Sequence, residues 1–481
     1  MPPTAMPAET GMLDAELAGR IRRVFDAQRP VALRWRESTV AERLGRLERL
    51  RAAILEQRAA IIEALAADLS RPPVETELAE LLPLLSDLAD HRRHLARWLR
   101  PKRVRPTVPT LGTRAWVQRE PRGRTLIQAP WNYPVALTLG PLIPAIACGN
   151  TAILKTSEFA PHSSQVLGSI VRASFDESEV ALFEGDAAVG RALLELPFDH
   201  IFFTGSPAVG EIVMTAAARH LASVTLELGG KSPVIIDASA DIDRAVDAIA
   251  WAKCLNAGQT CIAPDHLYVH ADVYAEVLGR FKRRLSSWYG ADASAAPDFA
   301  RIVNERHARR LAALLEDARA SGAAVLHGGQ TDPERRFVAP TLLGDVPQGA
   351  RIMREEIFGP VLPLIAYRSE DEVLERINAA PKPLALYIWT RRRELARRLI
   401  RRTSAGGTCI NQVALQFLHH NLPFGGVNHS GIGSYHGEWG IRAFSHERAV
   451  LDAKLQLSGA FFPPYGKRVR RMLALLMKCS T

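Results

Sequence analysis

Cysteine is scarce in this chain: Cys148, Cys254, Cys261, Cys409 and Cys479 are the only five among 481 residues. No two form a CxxC pair, and none clusters with histidine at metal-ligand spacing. That excludes a disulfide framework and a cysteine-built metal site, and it points to reduced thiols in a cytoplasmic setting. Lysine is also rare, nine residues against 52 arginines. Long apolar runs are missing, none approaching the roughly 20 residues that span a bilayer. The opening MPPTAMPAETGMLDAEL has no basic and no apolar region of a secretory leader. The tail KRVRRMLALLMKCST (467–481) is basic and apolar. Packing on the body or fraying is at least as good a reading of it as membrane contact. Its Cys479 stands one residue too near the end for a prenylation box.

The formal charge of +10 invites a nucleic-acid reading. Aromatic residues do not interleave with the basic ones, however, as single-strand binding would require. The arginines fall instead on amphipathic stretches. In 41–66, Leu44, Leu47, Leu50, Ile54 and Ile61 keep helical spacing while arginines take the other face, and 391–402 is built alike. Solvated helix faces account for the charge, so no nucleic-acid partner is expected.

A chain of this length exceeds one ordinary core, and two or three domains are expected. A helical region (about 13–100) ends at Pro101, Pro106 and Pro109. Short apolar runs then alternate with turns and helical stretches: RTLIQA (124–129), TAILK (151–155), HIFF (200–203) and SVTLEL (223–228). A second series holds PVIID from 233, LYVH (267–270), AAVLHGG (323–329) and VLPLIAY (361–367). Alternating strands and helices predict α/β domains with parallel sheets covered on both faces. TCINQ (408–412) and ERAVLDAKLQL (447–457) add extended material. DIDRAVDAIAWAKCL reads as a helix opened by Asp241 and closed near Gly258.

Several segments offer reactive groups. TGSPAVG (204–210) follows a strand and opens a helix, where backbone N–H groups and the helix dipole can hold a diphosphate. Its spacing is not that of GxGxxG. Lys155 and Glu158 follow a strand and can grip ribose hydroxyls. Asn132 lies in the turn PWNYP, Glu227 ends a strand before Gly229-Gly230, Cys261 follows NAGQT, and Glu356 lies in EEIFGP. Taken singly, each also reads as a turn amide, a satisfied carboxylate, a small apolar filler or a solvated acid.

Taken together, APWNYP (129–134), FTGS (203–206), LELGGKSP (226–233), NAGQTCIAPD (256–265), EEIFGPV (355–361) and LPFGGVNHSGIG (422–433) stand in order along the chain. In these motifs the sequence resembles an aldehyde dehydrogenase over nearly its whole length. PWNYP, CIAPD and the late SYHG (434–437) resemble the class 3 branch, and within it the bacterial coniferyl-aldehyde-dehydrogenase-like members.

The resemblance implies an aldehyde dehydrogenase-like fold. A Rossmann-type cofactor domain is expected over 1–102 and 125–228, and an α/β catalytic domain over 229–430. Oligomerisation strands are expected at 103–124 and 431–460, followed by the tail 461–481. It implies Cys261 as nucleophile and Glu227 as general base. Asn132 is implied as the side-chain donor of an oxyanion hole completed by the Cys261 N–H. Trp131, Lys155, Glu158, Gly205, Ser206, Gly210, Glu356 and Phe358 are implied in cofactor binding. The thiolate would add to an aldehyde carbon, hydride would leave to a nicotinamide, and water activated by Glu227 would release a carboxylic acid.

A carboxylate at Glu158 favours a free 2′-hydroxyl and hence NAD, although class 3 relatives often accept NADP as well. Aromatic aldehydes such as coniferyl aldehyde, or medium to long aliphatic ones, are the implied substrates, with 411–421 as tunnel wall. A homodimer paired through 447–457 is expected from the same resemblance. KTSE in place of KPSE, and Asn428-His429 after FGGV, are departures that bear on substrate choice. Two other readings stay open: an acylating enzyme that passes the thioester to coenzyme A, and a non-catalytic binding protein of the same fold.

Overall fold

The computed structural model describes residues 13–454, 459 and 461–480. Two large open sheets, a three-stranded sheet and a two-stranded ribbon organise the described residues.

The first large sheet has six strands, in the spatial order Gly431–Ile432, Ser223–Leu228, His200–Gly205, Arg124–Gln128, Thr151–Lys155 and Val180–Phe183. All pairs are parallel except Gly431–Ile432, which runs antiparallel to Ser223–Leu228. Arg124–Gln128 starts in the middle; the next two strands are added on one side and the following two on the other. A crevice therefore opens at the carboxyl ends of the strands, where such sheets hold ligands. Burial on both faces matches the apolar centre of Thr151–Lys155, whose five residues are all buried.

The second sheet has seven strands, in the order Ala324–His327, Thr341–Gly344, Val361–Tyr367, His266–His270, Pro233–Ile236, Ala385–Trp389 and Gly407–Ile410. Only Ala324–His327 is antiparallel to its neighbour. The chain passes from Leu228 at the end of one sheet to Pro233 at the start of the other through four residues. Carboxyl ends of the first sheet thus face amino ends of the second. The third sheet joins Lys102–Val104, Thr113–Pro121 and Ser445–Ala453, the last pair in continuous antiparallel register from Ser445 opposite Pro121 to Ala453 opposite Thr113.

The amphipathic stretch 41–66 differs from its sequence reading in two ways. It is two helices, Val40–Glu56 and Arg58–Leu69, parted at Gln57. Two of its arginines also belong to the interior. Arg43 donates to the Cys148 carbonyl at 2.7 Å, and the Arg46 guanidinium lies 3.9 Å from the centre of the Trp35 ring. A planar, weakly hydrated cation can be buried where a helix C-terminal carbonyl or an aromatic face receives it. The helix after Asp241 forms as predicted, the Asp241 side chain accepting from the Arg244 N–H at 3.2 Å, but it stops at Cys254. The strands Val180–Phe183, Thr341–Gly344 and Ala385–Trp389 were not anticipated from sequence. Residues 455–457 of the expected pairing strand lie outside the described residues.

Candidate active site

Cys261 is positioned by an unusual backbone. After the helix Ile242–Cys254 the chain enters the left-handed region at Asn256 (φ 51°), Ala257 (φ 51°) and Gly258 (φ 75°). Two of these carry side chains that resist this conformation, so the surroundings must hold them. Gln259 is one such hold: its Nε2 donates to the Asn256 and Arg301 carbonyls at 2.9 and 3.0 Å, and its Oε1 accepts the Val303 N–H at 2.9 Å. The Tyr133 hydroxyl pairs with the Thr260 hydroxyl at 2.7 Å. Cys261 then projects into a pocket ahead of the strand His266–His270, where its own N–H and that of Ile262 favour the thiolate.

The pocket is apolar and aromatic. Tyr133, Leu137, Trp251, Phe417, Phe424 and Tyr435 line it beside Cys261 and Glu227, and Glu227 is the one carboxylate in its wall. Leu415, Phe417 and Leu418 of the expected tunnel segment lie there, whereas His419 and His420 line a separate surface depression with Asp90 and Arg93. The imidazoles are turned away, and the wall is more uniformly apolar than its sequence indicates.

Glu227 is buried, and neither carboxylate oxygen has a hydrogen-bond partner. Burial without a partner pushes its pKa well above the usual carboxylate range. Burial also pushes the Cys261 thiol up to about 12, with the Glu356 and Glu227 carboxyls adding to the effect. Asn132 is buried as well, its Nδ2 donating to the Gln259 carbonyl at 3.0 Å. An amide nitrogen has two hydrogens, so one remains for another acceptor.

The other expected residues gather at the mouth of the crevice. Lys155 and Glu158 stand 3.4 Å apart at the end of Thr151–Lys155. Gly205 ends His200–Gly205, Ser206 precedes the helix Pro207–Arg219 without capping it, and Gly210 lies in its first turn. Trp131 meets the Phe358 ring edge-on, with centroids 5.4 Å apart. The Glu356 carboxyl packs so closely on Gly229 that a Cβ there would collide with it, and it accepts the Gly230 N–H. Burial, with the nearby Asp265 charge, pushes Glu356 up to about 8.

Other residues in this constellation escaped the sequence reading. Lys231 bonds Asp265 and donates to the carbonyls of Ile352 and Glu355 at 2.8 and 2.9 Å, while Asp265 accepts the Ile357 N–H at 3.0 Å. Together they fasten the Glu356–Phe358 loop to the segment carrying Cys261. The scarcity of lysine was the clue: Lys231 is one of nine. Gln259 had no comparable clue.

The aldehyde dehydrogenase family model matches residues 12–450. The chain belongs to the aldehyde dehydrogenase family. It is 40% identical over 441 residues to aldehyde dehydrogenase family 3 member A2 of Pongo abelii, covering 92% of this chain and 88% of that one. It is likewise 40% identical over 427 residues to the 4,4′-diaponeurosporen-aldehyde dehydrogenase of Staphylococcus aureus, covering 89% and 92%. Among solved structures, the substrate-bound state of Staphylococcus aureus AldH superposes with a TM-score of 0.91 at 38% identity, over 95% of this chain and 99% of that one. The motif-based assignment to the class 3 branch agrees with the family 3 relative. This aldehyde dehydrogenase also has no helix, among the described residues, long and apolar enough to cross a membrane.

Proposed function

We propose that this aldehyde dehydrogenase oxidises apolar aldehydes to free carboxylic acids through a thioester on Cys261. The observation that carries this reading is the pairing of Cys261 and Glu227 in one aromatic pocket, where Glu227 is the only carboxylate. As a thiolate, Cys261 adds to the carbonyl carbon and forms a thiohemiacetal. The Asn132 amide and the Cys261 N–H meet the resulting oxyanion with dipoles already in place. Bound NAD supplies the acceptor for the hydride that leaves this carbon. Glu227 takes a proton from the water that attacks the thioester, a task suited to a carboxylate made more basic by burial.

The chemistry of the residues fits a dinucleotide. Ser206 and the free first turn of Pro207–Arg219 suit the diphosphate. Lys155 and Glu158 suit the adenosine ribose, and Trp131, Glu356 and Phe358 the nicotinamide riboside. The Glu158 carboxylate favours NAD over NADP.

The aromatic wall favours aromatic aldehydes of the coniferyl type or medium to long alkanals over small ones. Purified enzyme is expected to raise absorbance at 340 nm with NAD and cinnamyl-type aldehydes or C8–C12 alkanals, with far lower kcat/KM for acetaldehyde. Failure with the whole panel, or full activity in Cys261→Ala, overturns the assignment. Turnover without coenzyme A is expected because Glu227 is in place; a strict requirement for coenzyme A would favour the acylating reading.

The exposed strand Ser445–Ala453 pairs along one edge with Thr113–Pro121. Gly407–Ile410 ends the seven-stranded sheet. These two edges support a homodimer joined by strand pairing, and the scattered free cysteines support a cytoplasmic setting. Sedimentation of the purified protein tests the dimer.

A further inference from the structure

Behind the two loops that supply the oxyanion donors lies a buried ion pair that the reaction itself does not use. Arg71 is 1% exposed and its partner Glu80 0%. The Arg71 Nη1 donates to Glu80 Oε1 at 2.7 Å, its Nη2 donates to the Asn132 carbonyl, and its Nε donates to Asn256 Oδ1 at 3.3 Å. The Tyr133 ring covers the guanidinium with its centre 4.7 Å from Cζ.

A fully buried ion pair is a poor way to gain stability, because apolar groups of similar volume hold a core as well or better. It is a good way to fix geometry, because the guanidinium fork is planar and its donors point in set directions. Here the fork spans the two halves of the site. One prong holds the turn that carries Asn132, and another holds Asn256, the first left-handed residue on the way to Cys261. Asn256 closes the triangle by donating through Nδ2 to the same Asn132 carbonyl at 2.9 Å.

The segment that carries Arg71 adds two more ties. Glu75 accepts the Asn256 N–H at 2.9 Å, and Glu80 Oε2 accepts the Ala136 N–H at 2.6 Å, in the first turn of the helix Pro134–Cys148. Glu80 lies in a π-helical turn, Glu77–Leu81, which re-aims side chains relative to a regular helix.

We propose that Arg71 is the positioning residue of the oxyanion hole, setting the distance between the Asn132 amide and the Cys261 N–H by gripping both loops. It touches neither substrate nor cofactor, and the proposal rests on the roles given above to Asn132 and Cys261.

A double-mutant cycle of Arg71→Met and Asn132→Ala tests it, read as kcat at saturating NAD and aldehyde, with the KM for NAD measured alongside. Arg71→Met is expected to lower kcat about 10- to 100-fold, as small misplacements of catalytic groups do, while the KM for NAD stays within about twofold. In the Asn132→Ala background the same substitution is expected to cost only about two- to threefold, because residues acting as one unit are not additive. An equal loss in both backgrounds, or an unchanged kcat in Arg71→Met, overturns the proposal. If Arg71→Met yields no soluble protein, Arg71→Lys carries the cycle under the same criteria; it keeps the charge opposite Glu80 but lacks the fork. Cys261→Ala separates the two levels. Activity surviving in Cys261→Ala refutes the nucleophile, whereas an inactive Cys261→Ala with additive Arg71 losses refutes only the role of Arg71.

Discussion

Glu227 and Cys261 reach one pocket from different sheets, the carboxylate at the carboxyl end of Ser223–Leu228 and the thiol ahead of the amino end of His266–His270. The proposed base and nucleophile are therefore set by separate scaffolds. Removing one group leaves the frame of the other in place, so their contributions can be read apart.

Glu227→Gln separates chemistry from stability. The variant should release a burst of NADH and then turn over at least about 100-fold more slowly, the range seen when a general base is lost. It should also be more stable than the parent. A carboxyl whose pKa is raised on folding contributes least above its unfolded value, near pH 4.5, and the native state loses ground as pH rises. Melting curves should show the advantage of Glu227→Gln growing from pH 5 to pH 8. A constant or shrinking difference contradicts the burial argument.

Alkylation of Cys261 by iodoacetamide, without cofactor, should report the carboxyl groups beside it. The thiol is held up to about 12 by burial, with Glu356 the larger of the two charge contributions. Glu356 is itself pushed up to about 8, so its charge develops only above that pH. Glu356→Gln should therefore match the parent near pH 7 and react faster above pH 8. Equal rates across the range would show that the two groups do not sense each other.

Glu158→Gln should improve the use of NADP relative to NAD. Loss of the carboxylate removes a like charge from the 2′-phosphate, and the ratio of kcat/KM values should move toward NADP by roughly tenfold. Lys155→Ala should weaken both cofactors. A ratio unmoved by Glu158→Gln would place the ribose elsewhere.

Gly258→Ala should be costly although it adds one methyl group. The position has φ 75°, and a Cβ would meet the Gly359 carbonyl and come within 2.9 Å of the Lys253 carbonyl oxygen. A loss of about 1–3 kcal/mol is expected from denaturant melts. Because Gly359 follows Phe358, the KM for NAD should rise as well. A variant with parental stability would mean that the loop yields.

Much of this architecture was legible because each strand of a doubly covered sheet is apolar along most of its length. TAILK, SVTLEL and PVIID became Thr151–Lys155, Ser223–Leu228 and Pro233–Ile236. VALF and ALYIW became strands too, yet so short an apolar run reads equally as part of a buried helix. At the site, side chains whose type announces chemistry were legible, and those that hold them were not. Arg71 looks like any of 52 arginines until the Asn132 carbonyl, 61 residues away, receives it. The same holds for Arg43, whose interior place depends on the Cys148 carbonyl at the end of another helix. Periodicity assigns a residue to a face, but whether that face holds an acceptor is decided by the fold.

The strand Gly431–Ile432 lies against Ser223–Leu228 with Gly431 opposite Glu227, and Phe424 and Tyr435 on either side of it wall the Cys261 pocket. A ribosome thus delivers Cys261 some 160 residues before the wall that will enclose it. Until then the thiol has no finished chamber around it. Completion of the pocket waits for the segment 424–435, which leaves a half-made chain without a closed site.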